Sequence, residues 1–277
     1  MTTLADGCGA DLAPLAPAPL EQSSCGRGEA LATVVRGEGD PVTLLVHGVA
    51  GSAVDTRPYG TALTGTAVHA ELRGHGGSPE LPAQGWDYAL LAADIAATAD
   101  AVRAHRALGI SLGAGVLLHL AVAEPDRFSS LVLVMPASVD RPRTDSAAER
   151  LASLEPAIIA GDVETIRDAF LAELPPEVAA HRGARLAAHR KATLLAARRP
   201  PKPISRDIVP VPDRTALQAV TCPVLVLAHE DDPLHPVDVA QDVASALPNC
   251  ELVVLPAGGL GWALDPAVPA RVAAALA

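Results

Sequence analysis

The sequence predicts an α/β fold, in which a doubly wound, mainly parallel sheet carries an inserted helical cap. Short apolar strand segments alternate with helical patterns over most of the chain, as expected for parallel sheets. The strand signal disappears between residues 140 and 213. With 277 residues, 49% of them hydrophobic, the chain can bury one sizeable core. We therefore divide it into an irregular N-terminal extension (1–28), a core (29–139 and 214–277) and a helical cap (140–213).

The strand and helix assignments rest on the period of the apolar residues. Apolar side chains recur at helical spacing from Leu90 through Ile95 to Val102, for example, whereas 42–46 is a continuous apolar run typical of a buried strand. The predicted strands are 30–35, 42–46, 67–71, 107–110, 131–134, 224–228 and 252–255. The predicted helices are 87–103, 112–123, 147–160, 163–174, 178–197 and 237–247.

The charge balance restricts the class of partner. With 32 acidic and 21 basic side chains the formal net charge is −11, which disfavours nucleic acid and anionic membranes as partners. We expect a cytoplasmic protein with a small-molecule ligand, because the first twenty residues lack a basic n-region and are interrupted by prolines. The four cysteines form no closely spaced pair, so the sequence predicts no metal site, and no cofactor signature is present. The oligomeric state stays open.

The first motif that carries chemistry is Gly109-Ile-Ser111-Leu-Gly113, which matches G-x-S-x-G. It lies where a predicted strand ends and a predicted helix begins, the setting in which a strained turn exposes a serine hydroxyl as a nucleophile. Glycines are needed on either side of the serine because this turn brings backbone segments close together. The structural alternative is a chance Gly-Ser turn.

A second motif follows the predicted strand 42–46. The His47-Gly48 pair and the small residues after it form a loop that could offer the amide of Val49. Together with the amide of Leu112, it would form an oxyanion hole for charge developing on a carbonyl oxygen. We interpret the His47 side chain itself as structural, and likewise the glycine-rich loop Arg73-Gly-His-Gly as a structural turn.

These three stretches resemble the α/β-hydrolase family, whose bacterial members carry an H-G loop, an R-G-H-G loop and a G-x-S-x-G elbow. The similarity resumes after the cap, at 222–236. The family pattern implies that Asp232 is the acid of a Ser-His-Asp triad. Its alternative role is a capping carboxylate for the helix at 237–247.

The chain departs from the family at the triad histidine. The resemblance implies a histidine in the loop after the last strand, where Leu260 stands, and no histidine follows His235 anywhere in the chain. Leucine cannot take a proton from serine, so fast hydrolysis requires a relocated base. His235, three residues after Asp232, is the best candidate, although it can equally be a loop histidine without a catalytic role. His229 and His105 lie within or beside predicted buried strands and are less suitable.

Three hypotheses follow from these motifs. The protein hydrolyses a small apolar ester, thioester or lactone through Ser111; or it uses the same pocket for a cyclisation, elimination or carbon–carbon cleavage; or it is an inactive ligand-binding homologue. Leu260 and Trp262 would add apolar wall at the mouth of the site. Three arginines near the cap entrance could bind a carboxylate or phosphate, although such residues are more often solvated: Arg141, Arg143 and Arg150.

Overall fold

The computed structural model describes residues 30–82, 85, 87–143, 145–197, 208–257 and 267–277. The predicted N-terminal extension, residues 1–28, lies outside this part of the chain.

In the described part of the chain, seven strands form one sheet with the spatial order β1-β3-β2-β4-β5-β6-β7. They are β1 (Thr33–Arg36), β2 (Val42–Val46), β3 (Thr66–Ala70), β4 (Arg106–Ile110), β5 (Ser130–Val134), β6 (Val224–His229) and β7 (Cys250–Leu255). Of the strand pairs in the described residues, only the edge pair β1·β3 is antiparallel, and the others are parallel. The predicted doubly wound, mainly parallel sheet is therefore confirmed.

Both faces of the sheet are covered, because side chains alternate between the two faces along each strand. On β5, Leu131 and Leu133 belong to one apolar cluster and Val132 and Val134 to the other. Burial on both sides explains why the central strands are continuous apolar runs instead of alternating ones.

The helices connect the parallel strands. They are α1 (Ala53–Thr56), α2 (Tyr88–Val102), α3 (Leu112–Ala123), α4 (Asp145–Ala160), α5 (Val163–Ala172), α6 (Pro176–Ala179), α7 (Arg182–Ala197), α8 (Val237–Ala246) and α9 (Val268–Ala275). Helices α2, α3 and α8 contribute buried residues to one apolar cluster, and α9 contributes to the other. No helix in the described residues is long and apolar enough to cross a membrane.

One predicted helix is wrong. The segment 178–197 is not continuous but is divided into α6 and α7. The interruption lies at His181, whose ring Nδ1 accepts a hydrogen bond from the amide of Gly183. A side chain that accepts an early amide starts a new helix, and the sequence pattern gave no sign of a histidine in that capping role.

Helices α4 to α7 lie between β5 and β6, in the segment predicted as a cap. They pack mainly on one another, through α5 against α7 and α4 against both. Among the described side chains, Arg190 on α7 connects them to the rest of the fold by donating to the carboxylate of Asp55 on α1. The division into core and cap remains a prediction.

Candidate active site

Ser111 occupies a strained turn between β4 and α3. Its φ of 51° and ψ of −109° lie outside the regions that a residue with a Cβ normally adopts. The turn is held by the Ser111 amide, which donates to the carbonyl of Val134 at 2.9 Å. The side chain is half-buried at the end of β4. The G-x-S-x-G motif thus has the strand–turn–helix setting that the sequence predicted.

The glycines around Ser111 sit where backbone segments meet. A Cβ on Gly109 would lie 2.4 Å from the carbonyl oxygen of Gly113, and one on Gly113 would lie 2.4 Å from that of Val46. Real Cβ atoms do not approach so closely, so only glycine fits at either position. The close approach of backbone segments around Ser111, which the sequence predicted, is therefore present.

Two side chains from one loop complete a hydrogen-bonded chain to the serine. His235 Nε2 lies 2.9 Å from Ser111 Oγ, and His235 Nδ1 lies 2.8 Å from Asp232 Oδ2. Both residues follow β6, and both side chains are about seven-eighths buried, with exposed fractions of 13% and 14%. The structure thus brings Ser111 together with His235 and Asp232. Ser111 is 124 positions from His235 in the sequence, whereas Asp232 and His235 are three positions apart.

The same loop fixes the position of Asp232. Its Oδ1 accepts hydrogen bonds from the amides of Leu234 and His235, at 2.9 and 3.1 Å. Burial acts to raise the pKa of this carboxyl, but the hydrogen bond and charge of His235, with the two amides, lower the pKa to about 2. Asp232 is therefore ionised at neutral pH. The alternative role as a helix cap does not apply, because the N-cap of α8 is Pro236.

An ionised Asp232 selects the tautomer of His235. A carboxylate only accepts hydrogen bonds, so His235 Nδ1 carries the proton and donates it to Asp232 Oδ2. In neutral His235, Nε2 is then left with its lone pair directed at Ser111 Oγ. The serine hydroxyl donates to this nitrogen, which is the geometry that a general base requires.

The loop after β2 lies directly against Ser111. A Cβ on Gly48 would be 3.2 Å from the Cβ of Ser111, so a side chain at position 48 would crowd the serine. Val49 follows Gly48, and Leu112 is the first residue of α3, where amide hydrogens have no partner within the helix. Leu112 thus directly follows the serine, and Val49 follows the glycine that lies against it. The oxyanion hole formed by their two amides stays a prediction.

Two histidines hold this loop in place. His47 is fully buried; its Nδ1 donates to the carbonyl of Gly48 and its Nε2 accepts from the amide of Leu72. His75 accepts from the amide of Ala50 through Nε2, at 3.2 Å. The structural interpretation of His47 agrees with these contacts.

The Arg73-Gly-His-Gly loop is anchored to α2 by an ion pair. Arg73 forms a bidentate ion pair with Asp94 of α2, with both contacts at 2.8 Å and the carboxylate fully buried. The loop is a structural turn, as expected, but its anchoring residue Asp94 was not predicted. A charged residue on a largely apolar helix face was the only available signal.

Leu260 and Trp262 lie at 258–266, outside the described residues, so their predicted position at the mouth of the site stays a prediction. His229 is the buried last residue of β6, and its Nδ1 donates to the carbonyl of Pro256. Within the described residues no group of three or more His, Cys, Asp or Glu side chains is arranged to hold a metal ion.

Comparison with known proteins places this geometry in a family. The model of the alpha/beta hydrolase family matches residues 43–275, which is most of the chain. The chain belongs to the α/β-hydrolase family. Two relatives, from Variovorax paradoxus and a Caulobacter species, are both named "Putative carbamate hydrolase RutD" and are 34% and 30% identical over 229 and 226 residues. These alignments cover 78% and 79% of this chain and 83% of each relative.

A solved α/β-hydrolase-like neighbour agrees with the fold. The crystal structure of a hydrolase from Pseudomonas aeruginosa has a TM-score of 0.68 and 23% sequence identity, covering 92% of this chain and 97% of its own. At this identity the likeness concerns the fold alone. Membership of this α/β-hydrolase family, together with the hydrolase names of the relatives, makes this chain an enzyme of the hydrolase class.

Proposed function

We propose that this α/β-hydrolase cleaves a small acyl compound, an ester, thioester, lactone or carbamate, with Ser111 as nucleophile and His235 as its base. The observation that carries the proposal is the continuous hydrogen-bonded chain from Ser111 Oγ through His235 to Asp232. Each link is within the range over which proton transfer between side chains occurs.

In the proposed reaction, His235 Nε2 takes the proton as Ser111 Oγ attacks the acyl carbon. The carbonyl oxygen gains negative charge, which the amides of Val49 and Leu112 stabilise. His235 then returns the proton to the leaving group, and an acyl group remains on Ser111. Water, activated by the same nitrogen, releases the acid in a second step.

Asp232 has two tasks in this scheme. It keeps the Nδ1 proton of His235 in place, so that Nε2 is the nitrogen facing the serine, and it stabilises the imidazolium formed during attack. Its depressed pKa, about 2, means that it remains a carboxylate over the whole neutral range. The loop therefore supplies both the base and the group that orients it.

The substrate class follows from two arguments of different kinds. The names of the two relatives support a carbamate, in which the scissile carbonyl carries nitrogen and oxygen. The abundance of Ala, Leu and Ile in the segment 140–213, which contains a single aromatic residue, Phe170, supports an apolar acyl portion. We propose that these helices act as the cap over the site.

Two measurements test the proposal. They are labelling with a fluorophosphonate and hydrolysis of p-nitrophenyl valerate. We expect stoichiometric labelling, located at Ser111 by mass spectrometry, and loss of both labelling and ester turnover in Ser111→Ala. Turnover that survives in Ser111→Ala would mean that the serine does not attack. Absence of labelling and of turnover in the wild-type protein would favour a binding protein with a vestigial site.

A further inference from the structure

Of the three arginines at the predicted cap entrance, two are ion-paired. Arg141 donates to Asp242, and Arg150 donates to Glu173. Arg143 differs: it is mostly buried, yet no described carboxylate lies within ion-pair distance of it. A buried guanidinium without an acidic partner is costly, because burial removes water from a charge that nothing compensates.

The surroundings of Arg143 are consistent with a guanidinium that has no described carboxylate nearby. Burial lowers the pKa of Arg143, and among the described residues the opposing influence comes from Tyr88, an uncharged group at neutral pH. Burial in turn raises the pKa of Tyr88. Tyr88 packs on α3 one turn beyond Ser111, where a Cβ on Gly115 would lie 2.6 Å from its ring. Tyr88, which influences Arg143, therefore packs on the first turn of the helix that follows Ser111.

Arg143 lines a small cavity of about 150 Å³ beside the triad loop. Its walls include Ala137 and Ser138, which follow β5, and Pro236 and Val239, which follow His235. Because β4, β5 and β6 are neighbouring parallel strands, these wall residues lie at the same end of the sheet as Ser111. The volume is enough for a short chain of a few heavy atoms and not for a large group.

The acidic residues around the cavity do not neutralise Arg143. Asp242 is engaged by both Arg141 and Arg214, and Asp140 forms a bidentate pair with Arg214. Asp238 is exposed at the rim, in the first turn of α8. The amides at that helix start also favour negative charge in the cavity. Arg143 is thus the one cation lining the cavity for which the described residues provide no carboxylate.

We propose that Arg143 binds a carboxylate of the substrate in this cavity, so that the hydrolysed compound carries a free carboxylate a few atoms from its acyl bond. The proposal rests on the proposed hydrolase function and narrows its substrate class. A planar guanidinium binds a carboxylate with two parallel hydrogen bonds. The apolar part of the substrate would lie between this anchor and the acyl carbon.

The test compares two esters of similar length, p-nitrophenyl valerate and the mono-p-nitrophenyl ester of glutaric acid, which differs by its terminal carboxylate. We measure the ratio of their kcat/KM values, which cancels any general loss of folded protein. The wild-type ratio should favour the glutarate ester. In Arg143→Gln the ratio should fall about 10- to 100-fold, as expected for losing charged hydrogen bonds. Arg143→Lys should recover part of it.

Arg150→Gln is the matched control, because Arg150 is paired with Glu173 away from the cavity, and it should leave the ratio unchanged. A wild-type ratio near one, or a ratio that is the same in Arg143→Gln and wild type, would overturn the proposal.

If neither ester is hydrolysed, the hydrolase function fails, and calorimetric binding of glutarate to the wild-type protein decides this inference separately. Binding that weakens at least tenfold in Arg143→Gln would support it, and no binding would reject it.

Discussion

His235 Nε2 lies 2.9 Å from Ser111 Oγ, although the two residues are 124 positions apart and His235 belongs to the loop after β6. The family resemblance implies a histidine after the last strand, whereas no histidine follows His235 in the sequence. The proposed base and acid therefore come from a single four-residue stretch, Asp232 to His235. The loops after β6 and β7 are neighbours, because β6 and β7 are adjacent parallel strands. A base on the loop after β6 can therefore approach the serine without a different sheet.

The strained backbone at Ser111 is expected to lower the stability of the folded protein. Its φ of 51° costs about 1–3 kcal/mol for a residue with a Cβ. Ser111→Gly removes that strain, offset partly by the greater freedom of glycine in the unfolded chain. We expect Ser111→Gly to be about 1 kcal/mol more stable than Ser111→Ala in urea unfolding. Equal stability of the two variants would mean that the turn is not strained.

The close packing behind the serine predicts a larger loss at Gly113. A Cβ there would lie 2.4 Å from the carbonyl oxygen of Val46, a backbone atom that cannot move aside easily. Gly113→Ala should therefore destabilise the protein by about 2–3 kcal/mol. Gly161→Ala is the control, since Gly161 has a φ of 71° with no atom near the added methyl, and about 1 kcal/mol is expected. Similar losses in both variants would contradict the packing argument.

The acid sensitivity of the fold should depend on His69. Burial, with the charges of Arg36 and Arg57 nearby, lowers the pKa of His69 from 6.5 to about 4. The unfolded chain then binds a proton before the folded chain does, so stability is lost as pH falls from 6.5 towards 4. Between pH 7 and pH 5 the loss assigned to His69 is about 2 kcal/mol. His69→Gln should reduce the pH dependence of the free energy of unfolding by that amount, and an unchanged dependence would exclude His69 as its source.

The ion pair between Arg190 of α7 and Asp55 of α1 predicts that replacing its two partners has unequal effects on stability. Asp55 accepts from the amide of Ser52 at 2.7 Å and also from Arg190. Both ion-pair partners are about one-third exposed, so the pair itself is worth no more than about 1 kcal/mol. Asp55→Ala also removes the capping-box hydrogen bond from the Ser52 amide and should cost about 1–2 kcal/mol, against under 1 kcal/mol for Arg190→Ala. A larger loss in Arg190→Ala would reverse this order.

Local patterns in the sequence predicted most of the fold. The ranges of β2 and α3 agree with prediction to the residue, because an apolar run and a glycine-flanked serine determine structure within a few positions. The α6–α7 boundary was missed because it depends on a histidine that caps a helix, which the hydrophobic period does not register.

The site was predictable in its parts but not in its assembly. The elbow, the H-G loop and Asp232 follow from motifs, whereas the approach of His235 to Ser111 depends on how the loop after β6 turns. That turn is set by Asp232, whose carboxylate accepts from the two following amides. The bidentate pair of Arg73 with Asp94 likewise joins residues 21 positions apart and has no sequence period.

The most direct test of the account is the rate of ester hydrolysis in His235→Ala. If His235 is the base, kcat/KM for p-nitrophenyl valerate should fall by at least about 1,000-fold, as for other triads that lose their histidine. His105→Ala, at an exposed position, is the matched control and should retain the wild-type rate. A His235→Ala enzyme that keeps the wild-type rate, while Ser111→Ala is inactive, would contradict the account.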